Sequence, residues 1–376
     1  MKIAIIGPAH PLRGGIAASS ERLVTELMMQ GHKVTMYSFS LQYPSFLFPG
    51  KTQFTTDPAP DGITILPVIN SVNPFNWLKI GYQLKKENYD LVIVRYWLPF
   101  MGPAFGTILR LIKQNKHSKI VCIADNIIPH EHRPGDVPFT KYFLKPIDGF
   151  ITLSRDVLKE VKTFTNKPAY YSPHPIYDSY QEAVSKEEAC KHLNLDSNKK
   201  YILFFGFIRD YKGLDLLLQA MADERIKKAE INLIVAGEYY NKNLEISNKE
   251  LIDTHNLADT IILKTDFIPN AEVRYYFCAA DLIVQPYKHA TQSGITQIAF
   301  HFEKPMVVTN VGGLAEVVPD GKVGFLAEPD PTSIADAILK FFQPNAIPNL
   351  QENILIEKKK YSWDIFTQVM MKAVFD

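Results

Sequence analysis

The sequence predicts an α/β protein of two domains in tandem, each a parallel sheet flanked by helices. Three observations predict it. Short Ile- and Val-rich runs alternate with longer segments of helical period, the pattern of parallel strands joined by helical crossovers. The alternation runs through the first half and then again through the second. A chain of 376 residues is also long enough for two domains that each bury a core.

In the first half the apolar runs place strands at Lys2–Ile6, Lys33–Tyr37, Leu91–Arg95, Ile120–Ala124 and Gly149–Leu153. A helix is expected from Ser19 to Gln30, with Leu23, Leu27 and Met28 on one face and Gly31 as its stop. The stretch from Tyr171 to Asp178 contains Pro173 and Pro175, which disfavour helix and mark a linker. In the second half strands are expected at Tyr201–Phe205, Ile231–Ala236, Ile261–Lys264, Leu282–Gln285 and Met306–Thr309, with a helix over Leu214–Met221. The domains are therefore drawn at 1–178 and from 179 onward.

Composition narrows the class. With 46% hydrophobic and 22% charged residues, the chain reads as globular. No run approaches the roughly 18 apolar residues of a membrane span, and the opening lacks the pattern of a signal peptide, so a cytoplasmic location is expected. Cys122, Cys190 and Cys278 are odd in number and lack metal-ligand spacing, so they are expected as buried apolar residues. Residues 1–175 carry 20 Lys and Arg against 12 Asp and Glu, a charge of +8, and the remainder carries −7. The acidic half argues against a nucleic-acid binder, and the basic half suits an anionic membrane surface or a phosphorylated acceptor.

Four segments could carry chemistry. The first strand runs into Gly7-Pro8-Ala9-His10-Pro11-Leu12-Arg13-Gly14-Gly15, and ligands of doubly wound sheets bind outside strand carboxyl ends, where glycines let backbone amides approach an anion. Neither GxGxxG nor a Walker loop is present; Ser45 stands where a Walker loop ending at Gly50-Lys51-Thr52 needs its first glycine. In the second segment, Gly206 and Gly213 bracket Arg209 and Lys212, whose spacing lets both cations reach one diphosphate, Arg through a fork and Lys as a point charge. The third runs from Pro286 through Gln292, Ser293, Gly294, Ile295, Thr296 and Gln297 at a helix start, and then to Gly312-Gly313 and Glu316. The fourth, Asp125-Asn126 to His130 and His132, offers sugar or acceptor contacts; a metal site needs a third ligand that the segment does not supply.

Taken together, Gly14-Gly15, Gly206 with Arg209 and Lys212, Ala236-Gly237-Glu238, Lys304-Pro305 and Val311-Gly312-Gly313 resemble glycosyltransferase family 4 in order and spacing over nearly the whole chain. The resemblance implies the GT-B fold, two Rossmann-like domains with parallel sheets facing across a cleft. It also implies a metal-independent, retaining, hexosyltransferase-like transfer from a nucleotide-sugar to a glycan or lipid-linked saccharide, in polysaccharide or cell-envelope glycan synthesis. Peripheral contact with the inner face of a membrane is a further expectation. Residues 360–376 resemble the family's last helix, which returns to the N-terminal domain and would limit the second domain to 179–359.

Carried over by position, Arg209 and Lys212 become the catalytic pair that neutralises the leaving diphosphate. Gly14, Gly15, Gly206, Glu238, Gln292, Ser293, Gly294, Ile295, Thr296 and Gln297 become donor contacts, and Arg13, Asp125, Asn126, His130 and Glu316 acceptor or sugar contacts. Most of the family has two glutamates eight positions apart that fall here on Ala290 and Ile298, so both carboxylates are missing and Gln292 or Gln297 is left as the substitute. Two other readings share the scaffold, a nucleotide-sugar epimerase and a non-catalytic nucleotide-sugar-binding protein. An NAD-dependent dehydrogenase is disfavoured by the absent dinucleotide fingerprint.

Overall fold

The computed structural model describes residues 1–44, 53–55, 58–128, 134–178, 180–290 and 293–376. It divides into two compact units, one of residues 1–174 with 363–376 and the other of residues 175–362. The first division falls between His174 and Pro175, inside the two-proline stretch.

The sheet of the first unit contains β1 (Lys2–Ile6), β2 (Lys33–Leu41), β3 (Ile65–Asn70), β4 (Leu91–Tyr96), β5 (Lys119–Ala124), β6 (Gly149–Thr152) and β7 (Ala169–Tyr171). Their order is β3-β2-β1-β4-β5-β6-β7, with every neighbouring pair parallel. The second unit's sheet contains β8 (Lys200–Phe205), β9 (Ile231–Ala236), β10 (Ile261–Lys264), β11 (Leu282–Gln285), β12 (Met306–Thr309) and β13 (Gly324–Ala327). Their order is β10-β9-β8-β11-β12-β13, again all parallel.

Central strands such as β4 are buried along their whole length, which is why they read as unbroken apolar runs. Because all strands of a sheet point one way, the loops that follow them gather on one edge. The strand order reverses between β1 and β4 and again between β8 and β11, and such reversals are where ligands bind in open α/β sheets.

The ten strands expected from sequence are all present, with bounds moved by at most a few residues. The three not foreseen, β3, β7 and β13, each lie at a sheet end. The first helix begins at Gly15 rather than Ser19, because Gly14 supplies the backbone turn from which it starts. The terminal helix Trp363–Phe375 belongs to the first unit: Thr367 accepts a hydrogen bond from Gln30 Nε2 at 2.8 Å, and the Arg22 guanidinium lies 5.1 Å from the Trp363 ring. Gly149 on β6 permits this packing, since a Cβ there would collide with the carbonyl oxygen of Ala373.

All three cysteines are buried and free. In the first unit, the aromatic-rich segments 75–78 and 96–101 have different fates. Tyr96 and Met101 are fully buried in its core, whereas Phe75 is 83% exposed and Leu78 also faces solvent, on the helix Pro74–Glu87. No helix among the described residues is long and apolar enough to cross a membrane.

Candidate functional site

The second unit's switch point is built by two loops that hold each other. After β8 the chain turns at Gly206 and Gly213, with φ of 94° and 67°, a region costly for any residue with a Cβ. At Gly213 a side chain would also overlap the carbonyl oxygen of Pro286 in the loop after β11. Between the two glycines, Asp210–Lys212 forms one 3-10 turn. Glu238, one residue beyond β9 and Gly237, accepts a 2.8 Å backbone hydrogen bond from Ile208, so the loop after β9 lies alongside.

This turn brings Arg209 and Lys212 together. The Arg209 guanidinium sits 4.6 Å from the Tyr240 ring and Lys212 Nζ 5.7 Å from the Tyr287 ring. Lys212 is 9% exposed and is the one buried lysine among the described residues, yet no described carboxylate pairs with it. Burial, and secondly the charge of Arg209, lower its pKa to about 7. Aromatic faces stabilise the two cations only in part. A buried ammonium without a counter-ion is costly, so an anion reaching both cations gains an interaction that the protein itself does not supply. Tyr240 and Tyr287 were not foreseen as partners; a tyrosine directly before Lys288 in the third segment was the available signal.

The helix Gly294–His301 starts beside this loop. Ser293 caps it by accepting from the Ile295 amide at 3.2 Å, and its hydroxyl lies 3.2 Å from that of Tyr287. A Cβ at Gly206 would stand 3.2 Å from Lys212 Nζ and 3.3 Å from Ile295 Cδ1, so these groups share one neighbourhood. A Cβ at Gly294 would stand 3.0 Å from the Tyr177 ring, within the same unit. Thr296 and Gln297 turn inward instead. Thr296, 1% exposed, is hydrogen-bonded to Gln285 at 3.2 Å, and the buried Gln297 Oε1 has no hydrogen-bond partner among the described residues. Their side chains are therefore not open donor contacts, which leaves this helix start its backbone amides. Ile298 is buried in the same helix, where a carboxylate would be desolvated. Gln292 lies outside the described residues. Glu316 is exposed in the short helix that follows β12, on the strand-carboxyl side of the same sheet.

In the first unit, the loop from Gly7 to Gly14 lies at the β1/β4 reversal. Its shape comes from its own hydrogen bonds: the His10 amide donates to Glu21 Oε1 at 2.6 Å, the Ala9 amide to Ser38 Oγ at 3.1 Å, and the Arg13 amide to the Gln53 carbonyl at 3.0 Å. Burial raises the Glu21 pKa against the opposing effect of His10. Gly14, with φ of 118°, and Gly15 are exposed at the helix start, with open space around Gly14. Asp125 is placed differently from its expected role as a sugar contact. It is 4% exposed, and both its oxygens accept from Arg95, Oδ1 from Nη2 at 2.7 Å and Oδ2 from Nε at 3.2 Å. Asn126 beside it is half-buried. His130 and His132, like Ser45 and Gly50-Lys51-Thr52, lie outside the described residues, and among the described residues no three His, Cys, Asp or Glu side chains converge to hold a metal.

Comparison with known proteins bears on both units. Residues 185–360 match the family model of glycosyl transferases group 1. The whole chain is similar to an uncharacterized glycosyltransferase of Methanocaldococcus jannaschii, 23% identical over 97% of this chain and 95% of the relative. A lipopolysaccharide core biosynthesis mannosyltransferase of Rhizobium meliloti is 28% identical over 48% of this chain and 54% of its own length. Among solved structures, Anabaena HepE in complex with UDP superposes with a TM-score of 0.73 at 14% identity, covering 99% of each chain. The chain thus has the GT-B fold, and residues 185–360 within it carry the sequence pattern of the glycosyl transferases group 1.

Proposed function

We propose that the protein transfers a hexosyl group from a nucleoside-diphosphate sugar to a glycan or lipid-linked acceptor, with retention of configuration and without a metal. One observation carries the reading: Lys212, buried, cationic below about pH 7 and unmatched by any described carboxylate, beside Arg209 at a strand-order reversal. In the reaction, the bond from the sugar C1 to the diphosphate oxygen breaks and one from the acceptor oxygen to C1 forms, while the acceptor's hydroxyl proton leaves to the diphosphate or to water. Negative charge grows on the diphosphate as it departs, and Arg209 and Lys212 stabilise it there. The backbone amide at Gly294 adds a donor at a helix N-terminus. Glu238 follows β9 and Glu316 follows β12, on the same sheet edge with the loops after β8 and β11 between them, and both are assigned to the sugar. In the first unit, acceptor recognition is assigned to Arg13.

The names of relatives support this class, since they include a lipopolysaccharide mannosyltransferase and a lipopolysaccharide 1,2-N-acetylglucosaminetransferase of Salmonella typhimurium. Thermal unfolding with UDP, GDP, ADP and CMP tests it. One nucleotide at about a hundred times its dissociation constant should stabilise the protein by roughly 2.7 kcal/mol. Arg209→Ala should abolish that shift and slow transfer by about 2–4 kcal/mol. No shift with any of the four would refute the donor site. The apolar residues at Ala290 and Ile298 favour, as a second reading, a protein that binds the nucleotide-sugar without turning it over; a thermal shift with no transfer to any glycan acceptor would select it.

We assign membrane contact to the helix Pro74–Glu87. Its outward stripe of Phe75, Leu78 and Tyr82 runs beside Lys79 and Lys86, and its one acid, Glu87, is already paired with Lys2 at 2.7 Å. The protein should float with vesicles containing phosphatidylglycerol, and Phe75→Ser with Lys79→Glu should release it. Equal flotation of that variant would exclude this face.

A further inference from the structure

We infer that Lys288 is a positioning residue for the diphosphate site, clamping the Arg209–Gly213 loop to the loop after β11 and neutralising the two carboxylates that flank Lys212. The inference rests on the reading of that loop as the donor site.

Three consecutive residues of the loop after β11 meet the loop after β8. The Pro286 carbonyl abuts Gly213, the Tyr287 ring meets Tyr211 edge-on at 6.0 Å, and the Lys288 amide donates to the Tyr211 carbonyl at 2.7 Å. The Lys288 side chain then closes the contact, with Nζ at 3.0 Å from Asp210 Oδ1 and 2.9 Å from Asp215 Oδ2. Asp210 opens the 3-10 turn that ends at Lys212, and Asp215 stands in the first turn of the helix Leu214–Met221. One ammonium thus spans Tyr211-Lys212-Gly213 from both sides. Burial works against the charge of Lys288, but Asp215 and Asp210 outweigh it and hold its pKa above the ordinary lysine value.

Without Lys288, the two carboxylates, two and three positions from Lys212 in sequence, would stand unneutralised on the loop that carries Arg209 and on the helix that follows it. They would repel an anionic ligand of that loop and release that loop from the loop after β11. The folded state would lose little, because partly exposed ion pairs contribute little to stability: the Asp210 side chain is 78% exposed and that of Asp215 28%. The consequence of losing Lys288 therefore falls on ligand binding rather than on folding.

Calorimetric titration of the full chain with whichever of UDP, GDP, ADP or CMP shifts its unfolding provides the test. Lys288→Met should weaken binding by about tenfold or more while the ligand-free melting temperature stays within roughly 4 °C of the parent. Lys288→Arg should recover most of the affinity, because it restores the bridging charge. Adding Asp210→Asn and Asp215→Asn to Lys288→Met should also recover affinity by removing the repulsion. Parental affinity in Lys288→Met overturns the inference. So does a loss of affinity that tracks a general fall in melting temperature and that arginine does not rescue. If the parent's unfolding shifts with none of UDP, GDP, ADP and CMP, the donor reading itself fails, and the positioning role falls with it.

Discussion

The two strand-order reversals of this protein both carry a buried cation, and they treat it in opposite ways. At the first, Arg95, the penultimate residue of β4, is answered by Asp125 from the loop after β5 through two hydrogen bonds, with both side chains almost fully buried. At the second, Lys212 is buried to a similar degree, and its described neighbours are Arg209 and the Tyr287 ring rather than a carboxylate. A buried charge that the chain neutralises is architecture, since it satisfies itself and ties two loops. A buried charge left unneutralised at a strand-order reversal is a cost in folding that an anionic substrate can offset, and that difference is the ground on which we propose the phosphate chemistry for the second unit.

The comparison can be broken by mutation. The largest effect is expected at the satisfied pair: Asp125→Ala strands Arg95 in the core and should cost about 3–5 kcal/mol in urea unfolding. A loss near zero would mean that water relieves Arg95, and the contrast between the reversals would disappear. Lys212→Met should do the reverse, raising ligand-free stability by about 2 kcal/mol while abolishing the nucleotide-induced shift. The smallest effect is in pH. The folded Lys212 loses its proton near pH 7, whereas the unfolded lysine keeps its proton to a much higher pH, so the unfolded state binds more protons in between and stability rises with pH. Between pH 7 and 8 the ligand-free protein should gain about 1 kcal/mol through this group, a slope absent from Lys212→Met.

Much of this was legible in the sequence, for local reasons. Strands β1, β9, β10, β11 and β12 have the bounds their apolar runs predict, because most lie between neighbours and are buried on both faces. Strands β3, β7 and β13 escaped, whereas β10, which also ends its sheet, was legible from its run Ile261-Ile262-Leu263. The segment Ile65–Asn70 carries Pro67 and is only half-buried, and Ala169–Tyr171 has no fully buried residue. Such strands exist through pairing with a neighbour, and no alternation or apolar run announces them. Arg209 and Lys212 stood out because two glycines bracket them at a strand end. Their tyrosine partners did not, since Tyr240 and Tyr287 arrive from other strands.

By itself, then, the sequence determined where the buried strands lie, that they repeat in two α/β halves, and that two cations share one turn after β8. The tertiary structure decided which charges are neutralised and which apolar side chains are covered. It set Asp125 against Arg95 and left Lys212 to aromatic neighbours; it buried Tyr96 and Met101 and exposed Phe75 and Leu78. The reason is physical: hydrogen bonding along a strand or helix is settled by nearby residues, but neutralisation and burial depend on which crossovers bring distant segments together.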